Sequence, residues 1–206
     1  MKKFFIIAGS FFIFILITIF ITVKITLQDP EFGGNPLKER ANILRNSSNF
    51  RDGHFHNTVK KRDYNFWVNI KDMMGDQKRI PPRPFPLVKP KFSKTIPSGL
   101  RAVWFGHASV LVEIDGYRIF FDPMLSDTAF PVKAVAPKRM TPSPLKLEEL
   151  PKIDVVIITH DHFDHLDMKT VQYLNKHGAH FYVGLGVGAH LEKWKIKPNK
   201  VNELDW

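Results

Sequence analysis

From Phe4 to Val23 the chain is almost uninterruptedly apolar, and no charge breaks the run between Lys3 and Lys24. About 20 such residues in a helix cross the hydrocarbon core of a bilayer, whereas a cleaved signal peptide carries an apolar stretch of roughly 7–15 residues. The pattern therefore predicts an uncleaved transmembrane signal anchor over residues 1–28. Lys2 and Lys3 bias the N-terminus toward the cytoplasm, which makes the expected location a single-pass membrane protein with its soluble part extracytoplasmic.

Regular periodicity is lost from 29 to 99, where Gly33-Gly34, Asn46-Ser47-Ser48 and Pro81-Pro82-Arg83-Pro84-Phe85-Pro86 punctuate a polar, basic stretch. Such breakers predict a spacer that becomes an arm wrapped on a domain, with Phe50, Phe55, Phe66 and Trp67 as docking points. Order returns at Leu100. Arg101 to Phe105 is a strand candidate. Ala108 to Ile114 sets Val110, Val112 and Ile114 against Leu111 and Glu113, a mostly buried strand. Asp115-Gly116 is a two-residue hairpin turn, since both residue types tolerate positive φ, and Tyr117 to Phe121 returns as far as Asp122-Pro123, where proline ends the ladder. After a proline-rich loop with a helical turn near Leu147 to Leu150, the β-branched Val155-Val156-Ile157-Ile158 predicts a strand buried on both faces. Asp167 can cap a helix that runs to about Lys176 and stops at Gly178, and His180 to Val183 is a further strand. A hairpin followed by strands alternating with helices predicts a mixed α/β sheet covered by helices over 100–206.

Composition narrows the chemistry. With no cysteine in 206 residues, disulfides, thiolate metal sites and cysteine nucleophiles are excluded, so any metal is held by His, Asp or Glu. The net charge of +10 favours anionic partners. Lipid head groups are preferred over nucleic acid because the charge is spread along the arm and loops.

The densest chemistry follows the buried strand directly: His160-Asp161-His162-Phe163-Asp164-His165. A rigid strand end fixes the backbone while the turn brings side chains toward one point. His160 and His162 can converge on one cation, and Asp164 and His165 on a second. Nitrogen and carboxylate donors without sulfur suit Zn²⁺, with Mn²⁺ or Fe as substitutes. Two cations roughly 3.5–4 Å apart acidify water and neutralise charge developing on phosphate or carbonyl oxygens. A loose surface histidine tract is the competing explanation, and the apolar strand before the cluster and the helix start after it weigh against that.

Thr159-His160-Asp161-His162-Phe163-Asp164-His165-Leu166-Asp167 resembles the signature of metallo-β-lactamase-fold hydrolases. Trp104-Phe105-Gly106-His107-Ala108-Ser109, Phe121-Asp122-Pro123, Pro137-Lys138-Arg139, Glu149-Leu150-Pro151 and Glu203-Leu204-Asp205-Trp206 resemble the branch typified by N-acyl-phosphatidylethanolamine-hydrolysing phospholipase D. The resemblance implies an αββα sandwich with two zinc ions at one edge, hydrolysing a phosphodiester of an anionic membrane phospholipid. Carried over by position, it places His160 and His162 on the first metal and Asp164 and His165 on the second, with Asp164 and His165 in the catalytic set. Asp122 would support the turn from behind, His107 could approach the site, and Asp161 takes no metal.

Members of that family also draw a histidine, a bridging aspartate and a last histidine from farther downstream, and this sequence reaches Trp206 before those positions. His177, His180 and His190 fit the missing roles poorly. The expectation is the N-terminal half of the fold, a weak half site and an open sheet edge. Two alternatives stand beside the phospholipase reading: another hydrolase of this fold acting on a thioester, lactone or nucleic acid, and a non-catalytic membrane protein.

Overall fold

A computed structural model describes residues 2–59, 65–75, 83, 85–96, 98–134, 136 and 138–205. Pro81, Pro82 and Pro84 of the proline run, and Pro137 and Trp206 of the family-like segments, lie outside the described residues.

The N-terminal apolar run is helical, α1 (Lys2–Thr26). Among the described residues, however, no helix is long and apolar enough to cross a membrane. This corrects the transmembrane anchor and, with it, the membrane location and the extracytoplasmic placement that rested on it.

The stretch expected to be a spacer that becomes an arm wrapped on the domain holds α2 (Lys38–Asn46), a small hairpin of β1 (Phe50–Arg51) and β2 (His54–Phe55), and α3 (Phe66–Gly75). It is tied to the domain by charge. Arg40 of α2 pairs with Glu203, whose other oxygen accepts the backbone N–H groups of Gly186 and Gly188 at 2.8 and 2.9 Å. Of the expected aromatic docking points, Phe50 and Phe55 pack edge-on at 5.0 Å. Phe66 and Trp67 instead stand exposed.

One six-stranded sheet organises the domain, in the spatial order β3 (Leu100–Gly106), β4 (Ser109–Ile114), β5 (Tyr117–Phe121), β6 (Val155–Ile158), β7 (His180–Gly184) and β8 (Val201–Leu204). The first three run antiparallel and the last three add in parallel. The β4–β5 turn has φ of 49° at Asp115 and 82° at Gly116, the doubly positive geometry that its residue types permit. α4 (Met168–Lys176) and α5 (Gly188–Lys193) cover one face, where Phe105, Leu111, Phe120, Val156, Phe181 and Leu191 form the core.

β4 is the mostly buried, alternating strand expected, and the tertiary structure decides which face is deeper. Ser109, Leu111 and Glu113 are buried, while Val110, Val112 and Ile114 are only half-buried. Glu113 is tolerated inside because Arg118 and Arg101 neutralise it, with N–O distances of 2.8 and 3.0 Å. Likewise β6 is fully buried on one face only, since the helices pack against that face.

Asp167 joins the β5 exit to α4. One carboxylate oxygen accepts the N–H groups of Leu125 and Ser126 and the Thr170 hydroxyl, and the other accepts the Ser126 hydroxyl and the capping Lys169 N–H. Loss of a helix cap costs about 0.5–2 kcal/mol, and this carboxylate also satisfies loop donors. Asp167→Ala is expected to exceed 2 kcal/mol, roughly the top of that range, in urea unfolding. A loss indistinguishable from zero would show that water replaces the carboxylate.

Candidate metal centre

Because β5 and β6 are parallel neighbours with Phe121 opposite Ile157, the residues after them emerge side by side. Asp122 leaves the end of β5 with φ +42° and its N–H bonded to Ile157 O at 2.9 Å. It is buried, and its carboxylate reaches the turn after β6. Oδ1 accepts the Thr159 N–H at 2.8 Å, and Oδ2 accepts the Thr159 hydroxyl at 2.8 Å and His165 Nδ1 at 2.9 Å.

That single carboxylate sets two imidazole tautomers. His165 donates Nδ1–H to Asp122, which leaves Nε2 with its lone pair. Thr159 spends its only hydroxyl proton on Asp122, so at the 3.0 Å contact with His160 Nδ1 its oxygen accepts and His160 also presents a bare Nε2. Burial, followed by the neighbouring His165 and His162 rings, holds the His160 imidazole below its ordinary pKa, which keeps it neutral, the form a cation needs.

His107 arrives from the β3–β4 hairpin. Its φ of +48° is uncommon for a residue with a side chain, and such strain marks functional positions more often than random ones. The turn is clamped by Trp104 Nε1–H donating to His107 O at 2.8 Å and by Ser109 Oγ–H donating to Asp122 O at 2.7 Å. Arg139 braces it from outside, donating to Phe105 O, Met124 O and Thr141 O. Gly106 has φ +92°, the left-handed region that favours glycine. Burial, ahead of the opposing pull of Asp127 and Asp167, lowers the Arg139 pKa.

The result is a convergent set. His107 Nε2 lies 2.8 Å and His165 Nε2 3.7 Å from Asp164 Oδ2. Among the described residues, His107, Asp164 and His165 can place one ligand atom each within 4.8 Å of one another. His160 stands beside them, its ring centroid 4.0 Å from that of His165 and 4.5 Å from that of His162. The Asp164 carboxyl is pushed up by desolvation, but its own backbone hydrogen bond and the His165 and His107 rings outweigh that, and the net shift is downward. His107 Nε2–H donates to the Asp164 carboxylate, while His160 and His165, held through Nδ1, present Nε2 beside it, a nitrogen and carboxylate donor set that fits a borderline cation such as Zn²⁺.

The structure thus gathers His107, Asp122, His160, His162, Asp164 and His165. His177 stacks on Tyr173 at 4.1 Å, and His180 is exposed on β7. Two contributors escaped sequence reasoning. Thr159 carries a faint signal, a hydroxyl at a strand end beside a ligand turn. His190, whose Nε2 lies 3.6 Å from Asp161 Oδ2, carries none, because its partners are distant in sequence.

A mixed sheet whose strand ends bring His and Asp side chains together in one turn is a mixed α/β, metallo-β-lactamase-like fold with a candidate metal centre. Residues 117–206 match the model of the Beta-lactamase superfamily domain. An uncharacterized protein of Mycobacterium tuberculosis is 40% identical over 174 residues, 80% of this chain and 46% of that one. N-acyl-phosphatidylethanolamine-hydrolyzing phospholipase D 1 of Caenorhabditis elegans is 39% identical over 118 residues, 53% of this chain and 32% of that one. A UPF0173 metal-dependent hydrolase of Caldivirga maquilingensis is 41% identical over 76 residues, 37% of this chain and 27% of that one. The chain spans less than half the length of each of these relatives.

Proposed function

We propose that this chain provides the metal-binding part of a zinc-dependent hydrolase that cleaves a phosphodiester in an anionic, N-acyl-phosphatidylethanolamine-like phospholipid. One observation carries the substrate reading: a cleft of about 540 Å³ opens on His107 and Asp164 and is walled by Phe85, Trp104, Met124 and Met140. Phe85, Trp104 and Met140 are each more than half exposed, and large apolar side chains clustered in the open mark a binding surface. Lys138 and Arg139 line the same cleft. An apolar wall with basic side chains beside a metal centre suits a molecule with acyl chains and a phosphate. The phospholipase relative supports the same reading.

Within that reading His160 and His162 hold one cation, and Asp164 and His165 the other. Such cations, when bound, polarise a phosphoryl oxygen and acidify water. The chain's own residues do the rest. Asp122 and Thr159 aim the two imidazoles, His107 fixes one oxygen of Asp164, and Lys138 offsets phosphate charge. Phe85, Trp104 and Met140 take the apolar part of the substrate and keep water from it.

The test is zinc content and release of N-acylethanolamine from N-acyl-phosphatidylethanolamine in mixed micelles, with the full chain. Both are expected in the parent protein, and both are expected to fall to background in His160→Ala and in His162→Ala. Turnover of a thioester or lactone without action on the diester would replace the substrate class. Diester turnover that survives both substitutions would refute the metal reading.

A further inference from the structure

The segment between α1 and α2 lies across the flank of the domain. Asp29 caps a short turn at Pro30–Phe32, and the backbone that follows is tied to the end of α5 at three points. Trp194 Nε1–H donates to Pro30 O at 2.7 Å, Lys193 Nζ donates to Gly33 O at 2.6 Å, and Gly34 N–H donates to His190 Nδ1 at 3.0 Å. The same segment also meets the metal turn. The Phe32 ring packs edge-on against Phe163 at 5.9 Å and Phe130 at 5.8 Å, and those two rings are 5.2 Å apart.

His190 connects the two contacts. With Nδ1 accepting from Gly34, the neutral ring carries its proton on Nε2, and Nε2 faces Asp161 Oδ2 at 3.6 Å. Asp161 sits between His160 and His162, so a hold on Asp161 and on Phe163 restrains the backbone that carries both rings. Gly33, at φ +72°, shows how closely the segment is seated, because a Cβ there would fall 1.8 Å from His190 Nδ1.

We propose that residues 29–34 and His190 form a strap whose role is to position the Thr159–Asp164 turn for cation binding, with His190 as the positioning residue. The proposal rests on the metal-binding reading above. The turn lies outside regular secondary structure, and a loop that must be ordered when a ligand arrives loses conformational freedom at that moment. A loop already strapped does not. Partners behind metal ligands typically change affinity by about 10–100-fold when removed.

Zinc affinity of the full chain, measured by competition with a chromophoric chelator, tests this. His190→Ala and Gly33→Ala are expected to weaken zinc about 10–100-fold, although neither touches a ligand. His190→Gln, whose amide can accept from Gly34 and donate to Asp161, is expected to recover most of that loss. Leu191→Ala is the control: it opens the core on the same helix, away from the strap, and should lower thermal stability without comparable loss of zinc. Unchanged affinity in both strap variants overturns the proposal, as does equal weakening in Leu191→Ala. Amide exchange of the metal-free protein separates this outcome from failure of the metal reading. If the parent binds no zinc, faster exchange at His165 and Leu166 in the strap variants still supports the positioning role, and unchanged exchange overturns it.

Discussion

Arg118→Met is expected to destabilise the protein by about 3–5 kcal/mol, the usual consequence of removing one partner from a buried ion pair. The Glu113 and Arg118 side chains are 1% and 7% exposed. Arg118 also donates to Ser93 O at 2.5 Å, and the faces of both Arg118 and Arg101 lie over the Phe92 ring. Without Arg118, the carboxylate inside the sheet keeps only Arg101, itself 40% exposed. The double variant Glu113→Leu/Arg118→Met should recover much of the loss, because it strands no charge. Urea unfolding of the three proteins decides the matter. A double variant less stable than the single one would mean that the pair contributes more than the hydrophobic replacement can.

The second large effect is expected at Asp122, in the cation affinity as well as in stability. Asp122→Asn keeps the shape but turns an amide nitrogen, or at best one oxygen, toward Thr159 N–H, Thr159 Oγ–H and His165 Nδ1–H. The His165 proton is then driven to Nε2, the atom a cation needs. Zinc affinity should fall about 10–100-fold, and a buried donor left unsatisfied should lower stability by about 1–3 kcal/mol. Equilibrium zinc competition and urea unfolding read the two effects separately. Full zinc affinity in Asp122→Asn would exclude the tautomer relay through Thr159 and His165.

Much of the strand pattern was legible because each strand is bounded by residues with a local conformational preference. Asp115-Gly116 folds as a hairpin turn wherever it is placed, Pro123 ends a ladder whatever lies beyond it, and Asp167 caps α4 through its own Lys169 N–H. The His- and Asp-rich turn was legible for the same reason: its imidazoles and carboxylates fall within six consecutive residues, so no long-range knowledge is needed to see them together. Burial was less so. The alternation in β4 identified a strand, but not which face goes deeper: Glu113 lies inside beside Leu111 because its charge is cancelled by Arg118 five positions away and by Arg101 across the hairpin. The apolar N-terminal run was legible as a helix, while its reading as a membrane anchor did not hold among the described residues.

What the sequence determined by itself is therefore local: the hairpin, the buried strand before the histidines, the cap of α4, the absence of thiolate chemistry and the clustering of imidazoles and carboxylates in one turn. Tertiary structure alone decided which residues serve that turn from a distance. His107 meets Asp164 because the β3–β4 hairpin folds over the sheet end, Asp122 meets His165 because β5 and β6 are parallel neighbours, and His190 meets Gly34 across 156 positions of chain. The physical reason is that turn and strand preferences act over a few residues, whereas an imidazole's tautomer and a carboxylate's aim are set by whichever groups the packed sheet brings within about 3 Å.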